Sequence, residues 1–172
     1  FSTVIGVEPN QKARELALQK GVILEENLKD IKEKSFDVMT MWHVLEHMPN
    51  LEETIQEIET LLKPNGILLV AVPNFNSFDA AYYKNYWAAF DVPRHLWHFS
   101  KTSMNNFFSS KLLLKKIRPM IFDSFYVSIL SEKNKSGKLN LFKAFLVGLR
   151  SNISAWSTKE YSSLIYCYKK PK

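Results

Sequence analysis

Short apolar runs alternate with amphipathic stretches from the start of the chain to Pro73, the pattern of parallel strands joined by crossover helices. Thr3 to Val7 is a β-branched run that stops at Glu8 and Pro9, which predicts a first strand. Asn10 is placed to cap a helix that carries Ala13, Leu16 and Ala17 on one face and ends at Gly21. Val22 to Leu24 predicts a short second strand, and Phe36 to Met41 a third. Asn50, with Glu53 three residues on, offers a capping box to a helix whose Leu51, Ile55, Ile58 and Leu62 share a face. Pro64, Asn65 and Gly66 then turn the chain into Ile67 to Val72, which is almost wholly apolar, as a central parallel strand covered on both faces should be.

After Pro73 the rhythm changes. Residues 74–100 hold Phe75, Phe78, Tyr82, Tyr83, Tyr86, Trp87, Phe90, Trp97 and Phe99 with little strand-like alternation, and read as an aromatic insertion or lid. Such a stretch either closes over a flat or apolar ligand or forms a satellite hydrophobic cluster under a long loop. Lys101 to Ser110 predicts a helix capped by Ser100, and Leu112 to Ile117 a further strand. Phe122 to Leu130 and Leu139 to Ile153 predict two helices separated by a charged, glycine-containing turn, together a helical insertion over 120–158. Ser162 to Lys169, β-branched and aromatic, predicts a closing strand. No repeat or linker divides the sequence, so residues 1–172 are expected to form a single α/β domain.

Composition narrows this picture little. At 172 residues, 46% hydrophobic and 13% aromatic, the chain can bury a real core. Its net charge of +6 is spread over scattered lysines rather than gathered in one stripe with interleaved aromatics, which argues against specific nucleic-acid binding. A single cysteine, Cys167, allows no internal disulfide and fits a cytoplasmic protein. No apolar run approaches the roughly 18 residues that span a bilayer, and the chain reads as soluble.

Three segments carry a resemblance: Val4-Ile-Gly-Val-Glu-Pro-Asn10, Phe36-Asp-Val-Met-Thr-Met-Trp-His-Val-Leu-Glu-His47 and Leu62-Lys-Pro-Asn-Gly-Ile-Leu-Leu-Val-Ala-Val-Pro73. Read together, they resemble the class I S-adenosylmethionine-dependent methyltransferases, and more closely the small-molecule branch that includes the ubiquinone-biosynthesis type. Their order and spacing match the second, fourth and fifth strands of that fold. A fourth segment, Asp91-Val-Pro-Arg-His-Leu-Trp-His-Phe-Ser100, is similar to a stretch typical of one subfamily. The resemblance implies a Rossmann-like, doubly wound sheet whose strands lie in the order third, second, first, fourth, fifth, seventh, sixth. The family's glycine-rich cofactor loop does not occur in the sequence, and Phe1 stands just before the second strand. The chain is therefore expected to be an N-terminally truncated fragment or a degenerate relative, without the first strand and helix. A gap would then lie between the Val4 and Val38 strands, leaving the isolated chain poorly soluble or partly open.

The resemblance also assigns roles. Glu8, followed by Pro9, matches the acid that accepts hydrogen bonds from the cofactor ribose; the competing reading is a helix-entry acid that meets only the following dipole. Glu26, Asn27 and Leu28 fall where the family places side chains near the adenine, or form an ordinary solvated turn. Trp42, His43 and His47 resemble positions lining the cofactor's floor; against this, Val44 and Leu45 read as core, and His47 as a hydrogen-bond partner of the backbone near Pro49. Methyl transfer from a sulfonium needs mainly in-line positioning and a desolvated pocket, and a base only where the acceptor must lose a proton. His95 and His98 are the candidate bases. Arg94 either holds an anionic substrate group or pairs with Asp91.

The spacing of His43 with His47 and of His95 with His98 also permits metal ligation. The distant Cys167, and the lack of a Glu beside the first His of either pair, argue against it, so no metal is expected. The implied cofactor is S-adenosylmethionine and the implied partner a small-molecule methyl acceptor, with acceptor and oligomeric state open. Two other readings stand beside this one: a nicotinamide-dependent oxidoreductase, because an acid after the second strand also binds ribose there, and a non-catalytic binding module that keeps the shell of the fold.

Overall fold

A computed structural model describes residues 4–31, 36–108 and 112–172. Thr3, Ser109 and Ser110, which the sequence assigns to the ends of a strand and a helix, lie outside them. Asn10 caps the first helix as its position predicts: its Oδ1 accepts the Ala13 N–H at 3.1 Å and opens α1 (Gln11–Gln19). The helix closes with Gly21 at φ 79°, where the Gly21 N–H reaches Leu18 O and the Val22 N–H reaches Ala17 O. That closure draws Val22 into the helix end, so the second strand starts later than its apolar run: β1 (Gly6–Val7) pairs in parallel with β2 (Leu24–Glu25).

The face of Ala13, Leu16 and Ala17 that periodicity assigns to a core is not buried. No residue of α1 is, and Leu16 is 59% exposed. The reason is the width of the sheet beside it: β1 and β2 are two residues each and form a sheet of their own, too small to cover a helix.

The second sheet has four strands in the order β3-β4-β6-β5: β3 (Phe36–Trp42), β4 (Leu62–Pro73), β5 (Leu113–Pro119) and β6 (Ser163–Lys169). β4 pairs in parallel with β3 and antiparallel with β6, and β5 pairs antiparallel with β6. Counted from the family's second strand, β2-β1 and β3-β4-β6-β5 follow the order that the resemblance implies. β1 and β3, the strands on either side of the expected gap, belong to different sheets. The Pro64-Asn65-Gly66 turn is an interruption inside β4: pairing jumps from Phe36 with Leu62 to Val38 with Ile67. Gly66 is needed there, because a Cβ would stand 2.8 Å from the Lys63 carbonyl oxygen.

Asn50 Oδ1 accepts the Glu53 N–H at 3.2 Å and starts α2 (Leu51–Leu61), whose Leu51, Ile55 and Ile58 are buried together with the following Leu62. α3 is Phe78–Tyr83 and α4 is Lys101–Phe108. Met104 and Phe108 of α4 join Leu68, Val70 and Val72 of β4 and Leu164, Tyr166 and Tyr168 of β6 in the main core. Burial of each such side chain stabilises the fold by about 1.5–3 kcal/mol.

A smaller apolar cluster joins Ala80, Tyr83, Trp87 and Ala89 to Val127 and Val147 of the two last helices, α5 (Asp123–Ser136) and α6 (Leu141–Thr158). α5 runs beyond the predicted Leu130 because Ser131 is held inside: its Oγ donates to Val127 O at 2.7 Å and accepts the Ala88 N–H at 2.8 Å. No helix among the described residues is long and apolar enough to cross a membrane.

One carboxylate ties these parts together. Asp79 is fully buried and accepts from Trp87 Nε1, Ser151 Oγ and Ser162 Oγ, each at 2.7 Å, joining α3, the Trp87 turn, α6 and the start of β6. Asp79→Ala would strand three buried donors, at about 1–3 kcal/mol apiece. Urea unfolding is expected to show a loss of about 3 kcal/mol or more, with Trp87 fluorescence reporting the loosened cluster.

Candidate functional site

Ligands of open α/β sheets bind outside the carboxyl ends of the parallel strands, so the ends of β3 and β1 are where a site is to be sought. β3 ends on Trp42, whose side chain is about half exposed. His43 takes φ 52° and turns the chain off the sheet after its N–H makes a bond to Ala71 O at 3.0 Å. A 3₁₀ turn, Leu45–His47, follows. Leu45 and Glu46 are buried, while Val44, which the sequence reads as core, is exposed because the turn swings it outward.

Against this turn lies the Asp91–Trp97 segment. The Glu46 carbonyl oxygen accepts the Leu96 N–H at 2.8 Å and the Trp97 N–H at 3.2 Å. Trp97 Nε1 donates to Met48 O at 2.7 Å, and His47 Nδ1 donates to Arg94 O at 2.9 Å. Two motifs that stand apart in the sequence thus form one wall.

Its charges are ordered. The His43 ring lies between two carboxylates, Nε2 at 3.2 Å from Asp123 Oδ2 and Nδ1 at 3.2 Å from Glu46 Oε1. The hydrogen bond to Asp123, then that to Glu46, pushes His43 up to about 9, so it is an imidazolium at neutral pH and donates from both nitrogens. The other oxygen of Glu46, Oε2, is buried without a hydrogen-bond partner. His95 Nδ1 donates to Ala89 O at 2.8 Å, and burial pushes its pKa down, which keeps the ring neutral. His98 is exposed and its Nε2 donates to Phe90 O at 2.9 Å.

The two histidine pairs whose spacing permits metal ligation are not brought together. His43 is taken up by Glu46 and Asp123, and His98 stands edge-on to Phe90, whereas His47 and His95 meet with ring centroids 4.6 Å apart. Arg94 pairs with Asp91 at 2.7 Å rather than standing free for a substrate group. Within the aromatic stretch, Tyr83 and Trp87 are core residues, while Tyr82, Tyr86 and Trp97 keep exposed faces.

The residues predicted at the end of β1 and β2 are drawn together by Arg14. Its guanidinium donates to Glu8 O and Pro9 O, each at 2.8 Å, and to Glu26 Oε2 at 3.0 Å. Glu8 is half-buried, and its Oε1 accepts the Asn10 N–H at 2.8 Å, so the carboxylate serves the helix entry. Asn27 forms a capping box with Asp30 in front of a 3₁₀ turn, and Leu28 packs against the main core. Asn27 and Leu28 thus have structural partners where the resemblance implies contact with an adenine.

Comparison with known proteins follows the same lines. A family model described as "Methyltransferase domain" matches residues 1–110. The Ubiquinone biosynthesis O-methyltransferase of Colwellia psychrerythraea is 34% identical over 76 residues, which cover 41% of this chain and 31% of that protein. Its namesake from Pectobacterium atrosepticum is 33% identical over 79 residues, 42% of this chain and 33% of that one. The matched region thus spans only about a third of these relatives' length. Among solved structures, a SAM-dependent methyltransferase of Methanosarcina mazei aligns with a TM-score of 0.60 at 15% identity, over 97% of this chain and 81% of its own. Phosphoethanolamine N-methyltransferase 2 of Haemonchus contortus, in complex with S-adenosyl-L-methionine, aligns with a TM-score of 0.60 at 13% identity, over 97% of this chain and 43% of its own. These likenesses show the fold.

Two residues of the site carry no signal that sequence reading could use. Asp123 reads as an acid in the first turn of a helix, and Arg14 as a solvated helix position, yet one sets the charge of His43 and the other clamps β1 to β2. The Arg14–Glu26 pair is partly exposed and weak by itself, while the two carbonyls it also holds add to it. Arg14→Met is expected to cost about 1 kcal/mol and to speed amide exchange at Glu8, whose N–H is bonded to Glu25 O, with little change elsewhere.

Proposed function

The chain belongs to the methyltransferase domain family, and from that membership we propose that the whole protein transfers a methyl group from S-adenosylmethionine to a small-molecule acceptor. The observation that carries the reading is where the candidate residues stand: Glu8 follows β1 and Trp42-His43 closes β3, each at the carboxyl end of a parallel strand, where this class of sheet receives ligands. The relatives named O-methyltransferases support oxygen as the acceptor atom. Neither the nicotinamide-dependent nor the non-catalytic reading is favoured by the family match.

The donor supplies an activated methyl group, so the protein's part is to bind, orient and exclude water. Glu8 fits a ribose: its Oε1 takes a single backbone N–H, and a carboxylate has lone pairs left for hydroxyl donors. Pro9 follows at the turn, and Glu26 is anchored beside it through Arg14. In this reading Asn27 and Leu28 shape the turn from behind, and the half-exposed Trp42 offers an apolar face to the floor. His43 and His47 hold that floor in place through Asp123, Glu46 and the Arg94 carbonyl. His43, already protonated at neutral pH, is not a base. His98, with Nε2 committed to a carbonyl, keeps Nδ1 to accept an acceptor's proton, and His95 is the second candidate.

Calorimetric titration of S-adenosylhomocysteine into the whole protein tests this. Glu8→Ala is expected to weaken binding at least about ten-fold, and His98→Ala to lower kcat with little change in that affinity. Unchanged affinity in Glu8→Ala would remove Glu8 from the cofactor site, and full turnover in His98→Ala would remove His98 as the base.

A further inference from the structure

We propose that Glu46, His47 and His95 form a binding site for a divalent transition-metal ion of the zinc class. One ligand atom from each of the three residues lies within 4.8 Å of the others. The two-histidine, one-carboxylate set is a known donor set for such ions, and imidazole nitrogen selects them over magnesium or calcium.

Three independent details leave each of these clustered side chains with a ligand atom to spare. His47 Nδ1 donates to Arg94 O and His95 Nδ1 donates to Ala89 O. A carbonyl can only accept, so both protons sit on Nδ1 and both Nε2 lone pairs are left for a ligand, the arrangement by which outer partners fix metal-binding histidines. Asp91 Oδ2 stands 3.8 Å from His95 Nε2, beyond hydrogen-bond length, and does not take that nitrogen. The third detail is Glu46. Its side chain is buried, Oε1 is held by His43, and Oε2 is buried with no partner, a costly state for a carboxylate oxygen unless a cation or donor meets it.

Zinc bonds of about 2.0–2.2 Å bring ligand atoms to within about 3.5 Å of each other, so an adjustment of about 1 Å closes the site. His47 is exposed and has room to make it. Three protein ligands leave at least one position for water or for an oxygen of a bound molecule. The ion would also cross-link the Leu45–His47 turn to the Asp91–Trp97 segment, reinforcing the backbone bonds between them. None of this depends on the methyl-transfer reading.

The test is calorimetric titration of Zn²⁺ into the whole protein, untagged and stripped with chelator, beside a titration of Mg²⁺. One zinc ion per chain is expected to bind in the micromolar range or tighter, with a raised melting temperature and no comparable magnesium uptake. His47→Gln and His95→Gln are each expected to weaken zinc at least ten-fold, while His98→Gln keeps the affinity. X-ray absorption of the zinc-loaded unmodified protein, which needs no variant to fold, is expected to show imidazole and carboxylate ligands at the bond lengths given above. Failure to bind zinc stoichiometrically, an absorption spectrum without imidazole, or full affinity in a folded His47→Gln/His95→Gln double variant would each overturn the proposal.

Discussion

The carbonyl oxygen of Glu46 is the point on which the site turns. By accepting two successive N–H groups, those of Leu96 and Trp97, it fixes where the aromatic segment meets the end of β3. The same residue sends its side chain inward to His43, which reaches on to Asp123 of α5. A strand end, a long excursion and a helix from the last third of the chain are thereby held through one residue. His47 and His95 face each other only because this docking sets the register between their segments.

The wall needs a rigid support, and Asp79 supplies it from behind. Its three short hydrogen bonds tie α3 and the Trp87 turn to α6 and to the first residues of β6, the strand paired along the whole apolar stretch of β4. Within residues 74–100, α3 and the Trp87 turn are thereby packed against the rest of the fold. The exposed apolar side chains of that stretch, among them Phe75, Tyr82, Tyr86, Leu96 and Trp97, are free to meet a ligand. The end of β1 is held differently, by a partly exposed arginine on a two-stranded sheet beside a helix with no buried residue. Order at the Glu8 end is thus local, and at the His43 end it is global.

Much of this was legible in the sequence for plain physical reasons. Caps at Asn10, Asn50 and Ser100, the apolar run of β4 and the β-branched close of β6 are local signals, and local hydrogen bonds and burial satisfy them. Strand boundaries slipped where a helix closure competed, as at Val22. α5 outruns its apolar pattern, which stops at Leu130, because the Ser131 hydroxyl finds Val127 O and the Ala88 N–H. The site was less legible, since its partners come from far apart. Spacing only sets His43 near His47 and His95 near His98 in the sequence, and pairing across the wall depends on a docking that no periodicity encodes. Asp123, Arg14 and Asp79 act through contacts between distant segments, and nothing in their immediate sequence marks them.

The central claim is that the carboxyl ends of β1 and β3 together receive the methyl donor. Nitrogen-15 spectra of the whole protein, recorded as S-adenosylhomocysteine is added, address it directly. The account predicts that shifts concentrate at the Glu8 and His43 amides and the Trp42 indole, while the Trp87 indole beside Asp79 stays still. Saturable shifts confined to α5 and α6, with the ends of β1 and β3 unmoved, would contradict it.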